Sequence, residues 1–197
     1  MHPNRKFHVD DRERLAAFVR EQGFGTIVAP IKDGLCAVHV PLLIEGDRLR
    51  FHVSRNNRIH AGLLGGGEAL LIVNGPHAYV SPDWYGLDDR VPTWNYAAVE
   101  LEGRIVPMDR EALIRLLDHI SDHHEAKLAP KPVWTRDKMS DGRFQAMLEA
   151  ITGFEMQVTA WRGTFKLDQD KPAEVRSRLA AALEAHGETA IAGLMRP

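Results

Sequence analysis

Two short turns near the start of the chain limit what it can fold into. Residues 24–30 (FGTIVAP), 35–43 (LCAVHVPLL) and 48–54 (RLRFHVS) are strand-like runs, flanking the turn-like Lys32-Asp33-Gly34 and Glu45-Gly46-Asp47. Such links read as hairpins. In the third run Leu49, Phe51 and Val53 fall on one face and Arg48, Arg50 and His52 on the other, the period of a half-buried strand. Residues 68–73 and 77–81 read as two further strands, 96–106 as another in which Gly103 marks a bulge or bend, and 153–167 as a last one.

Helices are grouped rather than alternating with these strands. Asp10 opens the first, with Glu13 three residues on as in a capping box and Leu15, Phe18, Val19 and Gln22 on one stripe. A short helix is expected over 57–64, stopped by Gly65, Gly66 and Gly67. Asp109 caps a helix carrying Leu113, Leu116, Leu117 and Ile120, a second follows over 141–151, and 172–185 forms a terminal helix with Val175, Leu179, Ala182 and Leu183 inward. The pattern predicts a mainly β fold with peripheral helices (α+β): an antiparallel sheet or barrel, not a doubly wound one. The expected organisation is a single domain over 1–197 with a helical C-terminal extension from about residue 172.

The 197 residues carry a net charge of −2, so no basic excess recommends nucleic acid as a partner. The single cysteine, Cys36, excludes an intramolecular disulfide. The first residues lack the apolar core of a secretory signal and no run is long enough to span a bilayer, so a cytoplasmic location without membrane association is expected.

Residues 74–96 (NGPHAYVSPDWYGLDDRVPTWNY) hold all three tyrosines and two of the four tryptophans in a chain that is 7% aromatic. Three prolines stiffen them. This is either a surface for a planar ligand or a packed aromatic corner. Ser54-Arg55-Asn56-Asn57 joins a strand to the expected helix at 57–64; free N–H groups, a hydroxyl and a guanidinium there suit a phosphate, and a capped helix with a solvated arginine is the bland alternative. Thr26, His39 and His52 lie on neighbouring strands. His119 and His123 have metal-ligand spacing, but His124 falls on a different face and no carboxylate–His motif completes a set, so no metal site is assigned. Dinucleotide, P-loop and nucleophile-elbow motifs are missing.

GPHAYVSPDWY followed by VPTWNYAAVELEG resembles the PaiB-type FMN-binding negative transcriptional regulator family. FHVSRNN at 51–57, AVHVPL at 37–42 and FKLDQDK at 165–171 match further elements of that family in order. The resemblance implies an FMN-binding split β-barrel of the pyridoxamine-phosphate-oxidase-like type, with FMN as cofactor, in a homodimer with the flavin at the subunit interface. It implies that Ser54, Arg55 and Asn57 engage the phosphate and that Thr26, Val38 and His39 line neighbouring strands. Trp94, Asn95 and Tyr96 would border the flavin ring, with Lys166 and Gln169 contacting it from the C-terminal element. Asp168 and Asp170 stand where Ser and Asn are usual, and carboxylates near a dianionic phosphate are expected to weaken its binding.

The function implied by the resemblance is that of a negative regulator, although no helix-turn-helix pattern offers a tool for reading DNA directly. A flavin-dependent oxidoreductase with His39, His77 and Tyr79 near a small substrate is one alternative. A haem-binding split-barrel protein is another, since the chain has ten histidines.

Overall fold

The computed structural model describes residues 2–196, Asp141 by its backbone only. Its strands are β1 (His8–Val9), β2 (Phe24–Ile31), β3 (Gly34–Glu45), β4 (Arg48–Ser54), β5 (Gly67–Val80), β6 (Thr93–Pro107) and β7 (Ile151–Lys166). Its helices are α1 (Arg12–Gln22), α2 (His60–Leu64), α3 (Arg110–Ala126), α4 (Asp141–Glu149), α5 (Ala173–Ala185) and α6 (Thr189–Met195). The strands form one sheet in the order β1-β7-β4-β3-β2-β5-β6, and β6 also pairs with β7, so the ladder closes on itself. Closure removes most of the exposed edge that a sheet of this width would present. The expected antiparallel β-barrel with peripheral helices is the observed architecture.

The hairpin turns set the register: Thr26 pairs with His39, and Leu42 with Phe51. Leu49, Phe51 and Val53 are buried, while Arg48, Arg50 and His52 form the outer row. Phe51 lies opposite Phe154 of β7 with ring centroids 5.7 Å apart. An offset pair of this kind adds about 0.5–1.5 kcal/mol beyond area burial.

The chain packs as two compact units, one of Met1–Leu15, Asn74–Glu100 and Arg162–Pro197, the other of Ala16–Val73 and Leu101–Trp161. The second has its core in Ile27, Val40, Ile44, Leu71, Leu101 and Met156. In the first, Ala97, Val99, Phe165, Leu179 and Leu183 are buried. Beyond Ala185, α6 packs on α5 and buries Ile191, Ala192 and Met195.

Four local expectations are corrected. Asp11, not Asp10, caps α1: its Oδ1 accepts from the Arg14 N–H at 3.1 Å. Residues 68–73 and 77–80 belong to one strand, within which the inward row moves from Ala69, Leu71 and Val73 to Ala78 and Val80. Pro76 and Gly75 thus accompany a one-residue change of phase, as a bulge would, rather than ending the strand. On α5 the inward small residue is Ala180; Ala182 is half-buried. The helix expected from residue 57 begins only at His60, so Arg55 to Asn57 form a turn instead of a helix N-terminus.

Gly103 is required by the β6–β7 contact. A Cβ there would lie 2.8 Å from the carbonyl carbon of Gln157 and 2.9 Å from Met156 Cγ. Backbone cannot give way as a flexible side chain can, so Gly103→Ala is expected to destabilise the protein by about 1–3 kcal/mol in urea unfolding.

His52 sits largely buried on the outer row of β4, and burial pulls its imidazole pKa below the ordinary value of 6.5. Asp118 and Arg136 are the charged groups beside it, paired with each other. A depressed folded pKa means that the unfolded chain takes up the proton first. The His52 contribution is therefore fully present above the ordinary imidazole value and is lost as pH falls through the depressed one. Urea unfolding at about pH 7.5 and 5.5 should show this loss in wild type and a shallower dependence in His52→Phe.

Candidate functional site

On the outer face of β2 and β3, the Thr26 hydroxyl and His39 Nδ1 are 2.9 Å apart across a directly registered pair. That bond fixes the ring and leaves Nε2 for another partner. Val38 points the opposite way and is buried, so it supports this face from beneath.

The turn after β4 is held by its own polar groups. Ser54 Oγ accepts from the Asn56 N–H at 3.3 Å, Asn57 N–H donates to Ser54 O at 3.0 Å, and Asn57 Oδ1 accepts from Ile59 N–H at 3.1 Å. Arg55 is pinned twice to the junction of α4 and β7, by its N–H to Ala150 O at 2.9 Å and by Nε–H to Ile151 O at 3.1 Å. Of the guanidinium, these bonds use only the Nε–H.

A cleft of about 90 Å³ adjoins Arg55 and is lined also by Arg110, Thr152, Gly153 and the α3 cap Asp109. Beside it, His60 Nε2 lies 2.8 Å from Thr152 Oγ1; burial, then the Arg55 charge, pulls the His60 pKa below its ordinary value. The helix start near Arg55 is thus that of α3, not of α2. Arg110, Thr152 and His60 were not singled out in the sequence, since they reach Arg55 only through the fold.

In the other unit the aromatic stretch divides by strand alternation. Trp94 faces outward with Tyr79, ring centroids 6.3 Å apart, and His77, 6.0 Å away. Tyr96 shares that face of β6 and is half-buried. Asn95 points inward and is fully buried: its Nδ2 donates to Asp168 Oδ2 at 2.7 Å and to Met195 Sδ at 3.4 Å. Tyr85 is also inward, and its hydroxyl donates to the same Asp168 oxygen at 3.0 Å. Burial, then the Asp168 charge, pushes the Tyr85 pKa above its ordinary value, which keeps the phenol a donor.

Lys166 and Gln169 are engaged within the protein. Lys166 Nζ donates to Thr93 Oγ1 at 2.5 Å and Trp94 O at 2.7 Å, and burial pulls its pKa down. Gln169 donates to Phe165 O at 2.7 Å and Lys6 O at 3.1 Å while accepting from Leu167 N–H at 2.8 Å. Both hold the backbone around Trp94 and the end of β7. Asp168 is 5% exposed at the centre of its hub, and Asp170 pairs with Lys171 at 2.9 Å. Each of the two unusual carboxylates therefore has a partner inside the protein.

The sequence profile of the family described as "Putative FMN-binding domain" matches residues 1–160. The chain belongs to this family. FMN is its cofactor, and the PaiB-type resemblance read from the motifs is upheld. "Protease synthase and sporulation protein PAI 2" of Bacillus subtilis is 29% identical over 169 residues, covering 84% of this chain and 80% of that protein. Among solved structures, the FAD and heme binding protein from Mycobacterium smegmatis superposes with a TM-score of 0.61 at 18% identity, over 89% of this chain and 80% of that one. The flavocytochrome Anf3 from Azotobacter vinelandii gives 0.60 at 16% identity, over 84% and 72%. These likenesses establish the split-barrel fold.

Members of the FMN-binding family need a place for a phosphate and a flat surface for a ring. Arg55 and Trp94 are both exposed. Among the described residues, no helix is long and apolar enough to cross a membrane.

Proposed function

We propose that the protein is a homodimeric FMN protein of the PaiB type whose phosphate contact is centred on Arg55. The observation that carries this reading is the double anchoring of Arg55 to Ala150 and Ile151, which spends backbone N–H and Nε–H and aims the rest of the guanidinium outward. Ser54 and Asn57 shape the turn and add a hydroxyl and an amide. Thr26 and His39 present a pre-oriented polar pair for the ring system, with Val38 beneath them. Trp94 and Tyr96 supply aromatic surface at the subunit interface, while Asn95, Lys166 and Gln169 act as positioning residues through the bonds they make inside the protein.

The exposed apolar side chains Leu35, Phe24, Trp94 and Tyr79 support a dimer, because a partner would remove them from water. Sedimentation of the FMN-loaded protein should give the mass of two chains at micromolar concentration. A monomer there would refute the dimeric part of the reading.

Bound flavin supplies electron-transfer chemistry, and the chain binds and orients it. A regulatory role is proposed to act indirectly, through the state of the flavin, because the net charge is −2 and nothing in the sequence reads as a DNA-reading helix pair. A second reading, a flavin-dependent oxidoreductase, is favoured by the Thr26–His39 bond, which leaves His39 Nε2 oriented for a small substrate. Mixing the FMN-loaded protein with reduced nicotinamide separates the two. Bleaching of the flavin absorbance within seconds supports the enzyme, and a spectrum stable for hours rejects nicotinamide as its donor.

A further inference from the structure

The unit of Met1–Leu15, Asn74–Glu100 and Arg162–Pro197 contains a cleft of about 220 Å³. The segment leading into β6 forms one side of it, and the end of β7 with the residues after it forms the other. Phe7 and Val91 are its apolar surfaces. Two of its three carboxylates already have partners: Asp168 accepts from Tyr85 and Asn95, and Asp170 pairs with Lys171. The remaining cations are less fully matched. Arg90 is exposed and, among the described residues, has no hydrogen-bond or ion-pair partner. Lys166 Nζ uses two of its three N–H groups, on Thr93 Oγ1 and Trp94 O.

We propose that this cleft binds a small organic monocarboxylate with an apolar body, its carboxylate held by Arg90 and by the remaining Lys166 N–H. Burial pulls the Lys166 pKa down even though Asp168 and Asp170 push it up. The carboxylates already present therefore do not restore what the ammonium loses on leaving water, and one more negative group would. A dianion is disfavoured, because Asp89, Asp168 and Asp170 all border the cleft and repel it. A carboxylate can take two parallel N–H bonds from the Arg90 guanidinium. The apolar body would cover Val91, which is 74% exposed, beside Phe7. Scaled from a cavity of about 150 Å³ that holds benzene, the space takes about nine non-hydrogen atoms, the size of benzoate. Asp89 and Asp168 are the two non-glycine residues at positive φ among the described residues, and both line this cleft. Backbone of that kind gathers at ligand sites. The site uses none of the residues proposed to touch FMN and does not rest on that reading.

The test uses the full chain, with and without saturating FMN, titrated with benzoate, with benzamide as its uncharged counterpart, and with inorganic sulfate. Amide and methyl resonances of Val91 and Thr93 report occupancy. Benzoate should shift them saturably in both forms of the protein, and bind about tenfold or more tightly than benzamide or sulfate. Arg90→Gln removes an exposed charge that makes no bond in the fold, and should bring benzoate and benzamide to within about twofold. The comparisons in wild type stand without that variant. No saturable benzoate binding, equal affinity for benzoate and benzamide in wild type, sulfate binding as tight as benzoate, full discrimination kept in Arg90→Gln, or displacement by FMN would each overturn the proposal.

Discussion

Arg55→Ala should weaken FMN binding by on the order of 100-fold while leaving the protein folded. Charge-assisted hydrogen bonds contribute about 1.5–3 kcal/mol, and about 2.7 kcal/mol corresponds to that factor. The structural cost is far smaller. Only the Nε–H bond to Ile151 O is lost, worth about 1 kcal/mol, and the backbone bond to Ala150 survives. Arg55→Lys keeps the charge but not the planar fork, so its affinity should fall between the two. Titrating each variant by flavin fluorescence, alongside thermal unfolding, separates binding from stability. Wild-type affinity in Arg55→Ala would show that the phosphate lies elsewhere.

Asp168→Ala should cost the fold more than any change at the proposed flavin contacts. The carboxylate accepts from both the Tyr85 hydroxyl and the Asn95 amide, and all three groups are buried. Alanine strands two donors, each at about 1–3 kcal/mol. It must also adopt the left-handed backbone that Asp168 holds at φ 54°, where alanine pays about a further 1–2 kcal/mol. A loss of about 3 kcal/mol or more is expected, lowering Tm by roughly 6–12 °C for a chain of this size. Asp168→Asn tolerates the backbone and keeps a carbonyl acceptor, so it should recover about half of the loss. An Asp168→Ala protein as stable as wild type would mean that the hub contributes nothing.

The barrel was legible because its period is local. Alternation in residues 48–54 and the turns at Lys32-Asp33-Gly34 and Glu45-Gly46-Asp47 state strand, face and register without reference to distant residues. The stop at Asn74-Gly75-Pro76 was over-read, since proline and glycine mark a phase change inside β5 as readily as an end. The aromatic stretch was ambiguous between a surface for a planar ligand and a packed corner, and the fold divides it: Trp94 and Tyr79 face out, while Tyr85 and Asn95 face in. Motif strings cannot show that division for Asn95, because its partner Asp168 is 73 positions away. The same limit hid Arg110 and Thr152, which come to Arg55 from different elements. The surroundings of Asp168 were hidden for a related reason. Its charge was visible in the sequence, but the two donors that absorb it were not.

Binding of FMN by the folded chain is the claim on which the rest depends, and equilibrium dialysis of the purified full chain against FMN measures it directly. Equimolar, saturable uptake with micromolar or tighter affinity, about 8 kcal/mol, is the predicted result. Retention of no more FMN than an unrelated protein of similar charge would contradict it.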